Sequence, residues 1–313
     1  MPTHPLLAPP LLAAVRQAAS QHRNRPWTPA GFTDLDDRAA HPCGIFSGSP
    51  FSVFAKLSLA TDGRRQFEAE LAGRALIASK AAVGTPVPVA SGIVAARPGW
   101  LLLFEAVAER TGNARTRDDL AAIGATIAAL HEVRSEQGEF GLPDFNGYFG
   151  PIPQDNRPVP AGRWPDFYAE RRIEPMLRLA IDSGNLPATV SDSLTRLLRR
   201  LPDLCGSDPV PSLLHGDAQQ NNFLCTPHGI LVIDTAPYFG HPELDLALVD
   251  YFEPAHQALF DGYRAVAAID AGFAERRELW RIFAYLAVIA CDGKGPLGRG
   301  FVTRLADALR RYG

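Results

Sequence analysis

The stretch Ser212–Asp234 constrains the fold of this chain more than any other part of its sequence. It reads SLLHGDAQQNNFLCTPHGILVID, with two short apolar runs joined by Pro227-His228-Gly229. A three-residue connection that ends in glycine is typical of a β-hairpin. With the turn centred on His228, the hairpin would place Asn222 and Asp234 opposite each other on paired strands.

This opposition predicts a metal site. Directly opposed residues have Cβ atoms roughly 4.5–5.5 Å apart, so the amide oxygen of Asn222 and the carboxylate of Asp234 can share one cation. Mg²⁺ prefers oxygen ligands and leaves coordination positions for substrate phosphates. Asp217 lies upstream in a loop, where its carboxylate would be free to act as a base.

The same spacing resembles that of the aminoglycoside phosphotransferase-like kinases: His-Gly-Asp, four residues, Asn, and a hairpin that ends in Ile-Asp. Within that group it is most similar to the fructosamine (ketosamine) kinases, which residues 139–179 and 238–248 also resemble. The resemblance implies that Asp217 accepts the proton of the acceptor hydroxyl. It also implies that Asn222 and Asp234 hold Mg²⁺ on the nucleotide.

The resemblance further implies an α+β, bilobal, protein-kinase-like fold. A small antiparallel-sheet N-terminal lobe with one helix would span residues 1–105, and a mostly helical C-terminal lobe with the catalytic hairpin would span residues 106–313. In the family, the aspartate at the position of Asp245 anchors the catalytic loop. The Gly- and Pro-rich segment 138–162 would either line an acceptor pocket or serve in packing.

A strand with a lysine is predicted early in the chain. The period-2 pattern at residues 51–57 places Phe54 and Lys56 on the same face. Kinases carry a lysine on such a strand, where it pairs with the α- and β-phosphates of the nucleotide. Lys56 matches this position, and Phe54 would lie against the adenine. A solvated Lys56 whose stem covers Phe54 is the alternative.

The segment 64–80 predicts a helix with an apolar residue at every fourth position. Kinases use a helix glutamate to hold the strand lysine, and FEAELAG matches the family segment F-E-x-E-x-x-G. Glu70 is therefore the predicted partner of Lys56, with Glu68 as the second candidate. A surface pair of Glu70 with Arg74, worth only a few tenths of a kcal/mol, is the alternative.

Two further segments concern the nucleotide. The apolar run 101–104 before Glu105-Ala106-Val107 resembles the family's hinge, where a backbone carbonyl and amide, at Glu105 and Val107, would read the adenine edge. The family's Gly-rich turn over the phosphates has no counterpart, because residues 32–38 contain three aspartates. Acidic groups near a triphosphate raise its energy unless they point away or recruit a cation. The nucleotide geometry, and the choice between ATP and GTP, therefore stay open.

The composition narrows the possible partners. A net charge of −3 and a pI near 6.2 provide no basic field for a polynucleotide. No apolar run approaches the ~18 residues of a membrane span. Four widely spaced cysteines without metal-ligand spacing predict reduced thiols and a cytoplasmic protein. We expect a monomer or weak homodimer that binds a small molecule.

The resemblance implies an ATP-dependent kinase that phosphorylates a sugar hydroxyl of a small molecule, with a ketosamine as the first choice of acceptor. An aminoglycoside or another hydroxylated metabolite is the second choice, since one scaffold hosts different acceptors. The missing Gly-rich turn also allows a kinase-like binding module without turnover. A metal-dependent hydrolase that uses His215 with the predicted base and metal ligands ranks below these, because it leaves Lys56 and Glu70 unexplained.

Overall fold

The computed structural model of this chain describes residues 4–36 and 41–313. The segment 32–38, where the family's phosphate-covering turn would fall, therefore lies partly outside the described residues.

A five-stranded sheet forms the N-terminal part of the protein. Its strands are β1 (Pro29–Asp34), β2 (Cys43–Gly48), β3 (Val53–Ser58), β4 (Pro88–Ala96) and β5 (Gly99–Glu105). They lie in the order β1-β2-β3-β5-β4, and each paired neighbour is antiparallel. Side chains alternate between the two faces of a strand. Val53, Ala55 and Leu57 therefore enter one core, while Phe54 packs on the opposite face.

Two helices cover the two faces of this sheet. They are α1 (Pro9–His22) and α2 (Gly63–Ala81). Leu11 and Val15 of α1 share a core with Val53 of β3. Phe67 of α2 shares another core with Leu102 and Phe104 of β5. The helix expected beside the sheet is thus α2, and α1 adds a second one on the other face.

The rest of the chain is mostly helical. Helix α3 begins with a capping box, in which the side chains of Thr116 and Asp119 each accept a hydrogen bond from the other's backbone amide. The helices are α3 (Arg117–Glu132), α4 (Trp164–Tyr168), α5 (Glu174–Asp182), α6 (Ala188–Leu198), α7 (Leu201–Leu204), α8 (Pro242–Leu248), α9 (Gln257–Arg264), α10 (Phe273–Asp292) and α11 (Pro296–Tyr312).

Helix α10 lies at the centre of this helical part. Trp280 and Phe283 are fully buried, and both make edge contacts with Tyr168 of α4. Between α4 and α5 the chain passes through a π-helical turn, Ala169–Ile173. The turn precedes Pro175, whose missing N–H and bulky ring disturb a regular helix.

Short strands connect these helices. They are β6 (Glu139–Phe140), β7 (Tyr148–Phe149), β8 (Ile152–Pro153), β9 (Val159–Pro160), β10 (Ser212–Leu213), β11 (Phe223–Thr226), β12 (Gly229–Val232) and β13 (Phe239–Gly240). Strands β10 and β13 pair, as do β11 and β12. The predicted antiparallel sheet, helical remainder and hairpin are all present, so the predicted α+β fold class is confirmed.

The structure can be compared with the predictions about membrane spans and cysteines. In the part of the chain that the structure describes, no helix is both long enough and apolar enough to cross a bilayer. The four cysteines are free thiols, and Cys43, Cys205 and Cys225 are buried whereas Cys291 is exposed. The prediction of unpaired, mostly buried thiols is therefore confirmed, and the cytoplasmic location stays a prediction.

Candidate active site

A cleft of about 490 Å³ lies between the sheet and the helical part. It is lined by residues from β3, from α2, from the segment after β5 and from the segment 217–235. All eight predicted site residues line it: Phe54, Lys56, Glu70, Glu105, Val107, Asp217, Asn222 and Asp234. The fold thus gathers in one place residues that are up to 180 positions apart in the sequence.

The hairpin register differs from the prediction. Phe223 pairs with Val232 and Thr226 with Gly229, so the connection has two residues, Pro227 and His228, rather than three. Asn222 consequently faces Ile233, whose amide donates to the Asn222 carbonyl at 3.0 Å. The predicted direct opposition of Asn222 and Asp234 is wrong by one residue.

Both residues still reach the cleft, for a local reason. Asn222 ends a short 3₁₀ turn just before β11, and Asp234 lies two residues after β12. Both therefore lie at the end of the hairpin opposite its turn. Asp234 has φ +52°, a left-handed conformation that aspartate tolerates better than most residues.

Lys56 is the centre of the charge arrangement. Its Nζ lies 3.0 Å from Oε2 of Glu70 and 2.8 Å from Oδ1 of Asp234. Burial opposes the charged form of the lysine, but the two carboxylates outweigh burial and raise the pKa of Lys56. The lysine in turn outweighs the desolvation of Asp234 and lowers the pKa of that carboxyl. Lys56 is thus a fixed cation in the cleft, not a solvated strand residue.

Glu70, rather than Glu68, is the partner of this lysine. Glu70 has a side chain that is only 11% exposed, and burial raises its pKa. Glu68 is exposed and accepts a hydrogen bond from Arg64 Nε at 2.7 Å. The geometry therefore agrees with the first candidate and not the second.

The carboxylate of Asp217 is only partly hydrogen-bonded within the described residues. The residue is 8% exposed, and its Oδ2 accepts only a long hydrogen bond of 3.4 Å from Gln219 Nε2. Among the described residues, Oδ1 has no hydrogen-bond partner. Burial, followed by the negative charge of Asp234, raises the pKa of Asp217 to about 7. A carboxylate with such a pKa and a free oxygen suits a general base near neutral pH.

The loop that carries Asp217 is held from below by Asp245 of α8. Its carboxylate accepts hydrogen bonds from the amides of His215 at 2.6 Å and Gly216 at 3.1 Å. Its Oδ2 also lies 3.2 Å from Nε2 of the buried His131. Gly216 has φ +84°, and a Cβ there would lie 2.0 Å from the Ala236 carbonyl oxygen, so the turn requires glycine. The geometry fits the anchoring role that the resemblance implies for Asp245.

The segment after β5 presents one free amide. The amide of Glu105 donates to the Val87 carbonyl and that of Ala106 to the Ser52 carbonyl, both at 2.8 Å. Over the described ranges, no hydrogen bond involves the amide of Val107. The side chain of Glu105 is bound to His22 Nε2 at 2.8 Å, which ties α1 to this segment. The Glu105 side chain is therefore engaged, and the backbone of this segment, which includes the Val107 amide, is the part available to a ligand.

Asp34 and Asp36, the two described aspartates of the acidic segment before β2, make their contacts away from the cleft lining. Asp36 lies 2.9 Å from His4 Nε2 and accepts the Cys43 amide at 2.7 Å, and Asp34 lies 3.7 Å from the same histidine. Neither aspartate is among the described residues that line the cleft. The electrostatic objection to a triphosphate at this position therefore does not hold for these two carboxylates.

The donor atoms of Asn222 and Asp234 suit a hard cation. Asn222 donates through Nδ2 to the Asp217 carbonyl at 2.8 Å, which leaves its Oδ1 as the group available for a cation. Together with the Asp234 carboxylate this is an all-oxygen set, the kind that Mg²⁺ prefers.

Sequence reasoning missed the position of Arg74. The structure buries it to 3% exposure on the cleft wall, whereas its spacing from Glu70 indicated a surface pair. A signal was available, because Arg74 is three residues after Leu71 and seven after Phe67, on the apolar face of α2.

Two residues of segment 138–162, Tyr148 and Gly150, also line the cleft. This placement agrees with the first of the two alternatives for that segment, in which it lines a pocket rather than serving only in packing.

The fold and the cleft together define a protein of the protein-kinase-like class: a sheet with a paired strand lysine and helix glutamate, above a helical part with an anchored aspartate loop. A model of the fructosamine kinase family matches residues 11–299. The chain belongs to the fructosamine kinase family.

The known proteins that are similar to this chain include relatives in sequence and in structure. A probable ketoamine kinase of Klebsiella aerogenes is 35% identical over 164 residues, which are 52% of this chain and 55% of that protein. The chain thus spans about half the length of the curated bacterial relatives it matches first. A crystal structure of a candidate fructosamine-3-kinase from Haemophilus somnus has a TM-score of 0.79 and 22% identity, over 96% of this chain and 97% of the other.

An aminoglycoside phosphotransferase, APH(4)-Ia, shares the fold more distantly. Its ternary complex with ADP and hygromycin B has a TM-score of 0.61 and 16% identity, over 95% of this chain and 98% of the other. The likeness in both structures is one of fold, which is therefore the protein-kinase-like fold expected from the sequence.

Proposed function

We propose that this protein is an ATP-dependent small-molecule kinase that phosphorylates a sugar hydroxyl, with a ketosamine as its acceptor. The observation that carries the proposal is the arrangement of Lys56 within 3.0 Å of both Glu70 and Asp234, in the same cleft as Asp217. Phosphoryl transfer needs positioned reactants and neutralised phosphates more than covalent chemistry, and a buried cation in the same cleft as Asp217 supports both roles.

The nucleotide would lie between the sheet and the hairpin. Lys56 would bind its α- and β-phosphates, and Glu70 would hold the lysine in place. Phe54 would lie against the adenine, whose edge would meet the Glu105 carbonyl and the Val107 amide. The free amide of Val107 and the outward-facing Asp34 and Asp36 support this placement.

Asn222 and Asp234 would hold Mg²⁺, which neutralises phosphate charge when it is bound. The support is their all-oxygen donor set at one end of the hairpin. Asp234 contacts Lys56 in the present structure, so this carboxylate lies next to the cation that is proposed to hold the phosphates.

Asp217 would act as the base through its free Oδ1. It would accept the proton of the acceptor hydroxyl as that oxygen forms a bond to the γ-phosphorus. The bond from the γ-phosphorus to the bridging oxygen breaks, and ADP leaves with that oxygen. The carboxylate then returns its proton to solvent. Its raised pKa and its single long hydrogen bond support this role.

The acceptor is proposed from the relatives. The names ketoamine kinase and fructosamine-3-kinase point to the 3-hydroxyl of a sugar joined to an amine. An aminoglycoside is the second candidate, because APH(4)-Ia binds hygromycin B on the same fold. The free oxygen of Asp217 favours turnover over a binding module, and the engaged Lys56 and Glu70 disfavour a hydrolase.

Three further proposals accompany this function. The sheet and its helices would form an N-terminal nucleotide lobe, residues 1–105, and the remainder, residues 106–313, a catalytic and acceptor lobe. The protein would act in the cytoplasm, which the free thiols support. It would act as a monomer or a weak homodimer.

An acceptor panel tests the proposed function. The purified protein is mixed with Mg²⁺ and ATP and with a fructosyl-amine, an aminoglycoside, a simple phosphate ester or no acceptor, and ADP and phosphorylated products are measured. We expect ADP release that depends on the fructosyl-amine. ADP release with the aminoglycoside alone would move the acceptor to the second candidate. The ester is also tested with Mg²⁺ in the absence of ATP, and its cleavage there would favour the hydrolase.

A further inference from the structure

Arg74 has no part in the roles proposed above. Its side chain is 3% exposed and lines the cleft. Within the described residues, none of its three guanidinium nitrogens has a hydrogen-bond partner. Removing a charge from water costs several kcal/mol unless other groups compensate it. The cost of burying the Arg74 charge must therefore be offset by the groups around it.

Two neighbours define the environment of this arginine. The guanidinium carbon lies 3.7 Å from the ring centroid of Phe104, a cation–π contact that leaves the edges of the guanidinium free. One turn earlier on α2, the Oε1 atom of Glu70 lies 3.8 Å from Nη1 of Arg74. This distance is too long for a hydrogen bond but close enough for a strong charge interaction.

Glu70 therefore lies between two cations, one at each carboxylate oxygen. Lys56 contacts Oε2 at 3.0 Å, and Arg74 faces Oε1. Asp234 completes the cluster through Lys56, which gives two positive and two negative groups. In this arrangement Lys56 Nζ donates hydrogen bonds to the Glu70 and Asp234 carboxylates at the same time.

A nucleotide would change this balance. If Lys56 binds phosphates and Asp234 binds a cation, the contact between the two must loosen, and the lysine ammonium has only three hydrogens to share. The hold of Lys56 on Glu70 would then weaken. Arg74, with unused donors beside Oε1, is the group placed to keep Glu70 where it is.

We propose that Arg74 is a positioning residue of the nucleotide site, which holds Glu70 from its Oε1 side while Lys56 turns from Asp234 toward the phosphates. The inference rests on the proposed function, because it takes a phosphate-bearing ligand to draw the lysine away. Arg74 itself touches no phosphate in this account and acts through Glu70.

The chain offers a matched control on the same helix. Arg64 also stacks on an aromatic ring of β5, with its guanidinium carbon 5.3 Å from the Trp100 ring centroid. Like Arg74, it lies four residues from a glutamate on the helix: Arg64 Nε is 2.7 Å from Oε1 of Glu68. This pair is exposed and does not line the cleft. Arg64→Met therefore removes the same chemical group without touching the cluster.

The test measures the Kd of Mg·ATP by calorimetry for three variants, with thermal unfolding of each to show that it folds. Arg74→Met removes the charge from an unbranched side chain, and we expect it to raise Kd by about tenfold, or about 1.4 kcal/mol. Arg74→Lys keeps a positive charge on the Oε1 side of Glu70, and we expect it to raise Kd less than Arg74→Met does, by at most about threefold. For Arg64→Met we expect less than about twofold, as for other exposed pairs.

A double-mutant cycle with Glu70→Gln separates positioning from packing. If Arg74 acts through Glu70, Arg74→Met should add little to the loss of affinity already caused by Glu70→Gln. Equal losses from Arg74→Met in both backgrounds would overturn the inference. So would equal losses in Arg74→Lys and Arg74→Met, or an unchanged Kd in Arg74→Met. If Arg74→Met does not fold alone, the comparison of Glu70→Gln with the double variant decides.

The same titration separates this inference from the proposed function. A wild-type protein without affinity for Mg·ATP refutes the proposed function, and with it the inference. A wild-type protein that binds Mg·ATP as tightly as Arg74→Met refutes the inference alone.

Discussion

Two aspartates, one on the 215–217 loop and one on the helix α8 beneath it, differ in how completely their carboxylate oxygens are hydrogen-bonded. Asp245, on the floor of the loop, is fully buried and accepts the amides of His215 and Gly216, with His131 alongside. Asp217, at the cleft, has one long side-chain hydrogen bond, and its Oδ1 has no partner in the described part of the chain. Both residues are buried, so burial alone does not separate them.

The difference indicates which carboxylate is available for chemistry. A carboxylate whose oxygens are filled by backbone donors fixes the shape of a loop, and its loss leaves several donors unpaired. A carboxylate with an empty oxygen and a raised pKa gains from a new partner, such as a substrate hydroxyl. We therefore infer a structural role for Asp245 and a reactive role for Asp217, and the predictions below test that contrast.

The largest expected effect is on turnover in Asp217→Asn. The amide cannot accept the hydroxyl proton, so we expect phosphate transfer to fall by about 10²–10⁴-fold, the usual contribution of a general base. Thermal unfolding should show equal or higher stability, since an uncharged group replaces a buried carboxyl. Rates near those of the wild type in steady-state assays would remove Asp217 from the base role.

The pH dependence of stability is expected to show the raised pKa of Asp217. Between its ordinary value of 3.8 and its folded value of about 7, the unfolded chain loses the proton while the folded one keeps it. The free energy of unfolding should therefore fall as pH rises through this window, relative to Asp217→Asn, by up to about 1.4 kcal/mol per pH unit. Denaturant titrations of both proteins in EDTA measure the difference. Parallel curves would show that the pKa is not raised.

We expect Asp245→Asn to show the opposite pattern to Asp217→Asn, with a direct effect on stability rather than on turnover. Its amide would place donors against the amides of His215 and Gly216, which we expect to cost about 1–3 kcal/mol for each group left unpaired. Chemical denaturation should report the loss of stability, with turnover falling in proportion to the folded fraction. A variant as stable as the wild type would contradict the anchoring role.

The smallest expected effect is that of Glu68→Gln. Glu68 forms an exposed pair with Arg64, and such pairs contribute at most about 1 kcal/mol and often a few tenths. We expect Mg·ATP affinity to stay at the wild-type level, whereas Glu70→Gln should weaken it. Calorimetry on the two variants side by side checks this, and a reversed order would make Glu68 the partner of the lysine.

The parts of the fold that could be predicted from the sequence have local causes. The alternation along β3 and the apolar stripe of α2 depend on residues close in the chain, and they placed Lys56 and Glu70 on the correct faces. The motif around Asp217 carries its own turn glycine, Gly216, at a position where a side chain would collide with Ala236. Such local constraints can be recognised in a single sequence.

The parts that could not be predicted depend on register or on distant neighbours. A hairpin with Pro227-His228-Gly229 can close with two or three residues, and a shift of one residue changes every pairing. The contact of His22 with Glu105 joins positions 83 residues apart, and no local pattern indicates it. The free oxygen of Asp217 likewise depends on what surrounds it in three dimensions.

One measurement tests the central claim most directly: phosphorus and proton NMR of the products that the wild-type protein forms from Mg·ATP and a fructosyl-amine. We expect ADP and a sugar phosphate monoester in equal amounts, with the phosphorus coupled to the proton on the third carbon of the sugar. ATP left intact, or ADP and inorganic phosphate without any sugar phosphate, would contradict the proposed function.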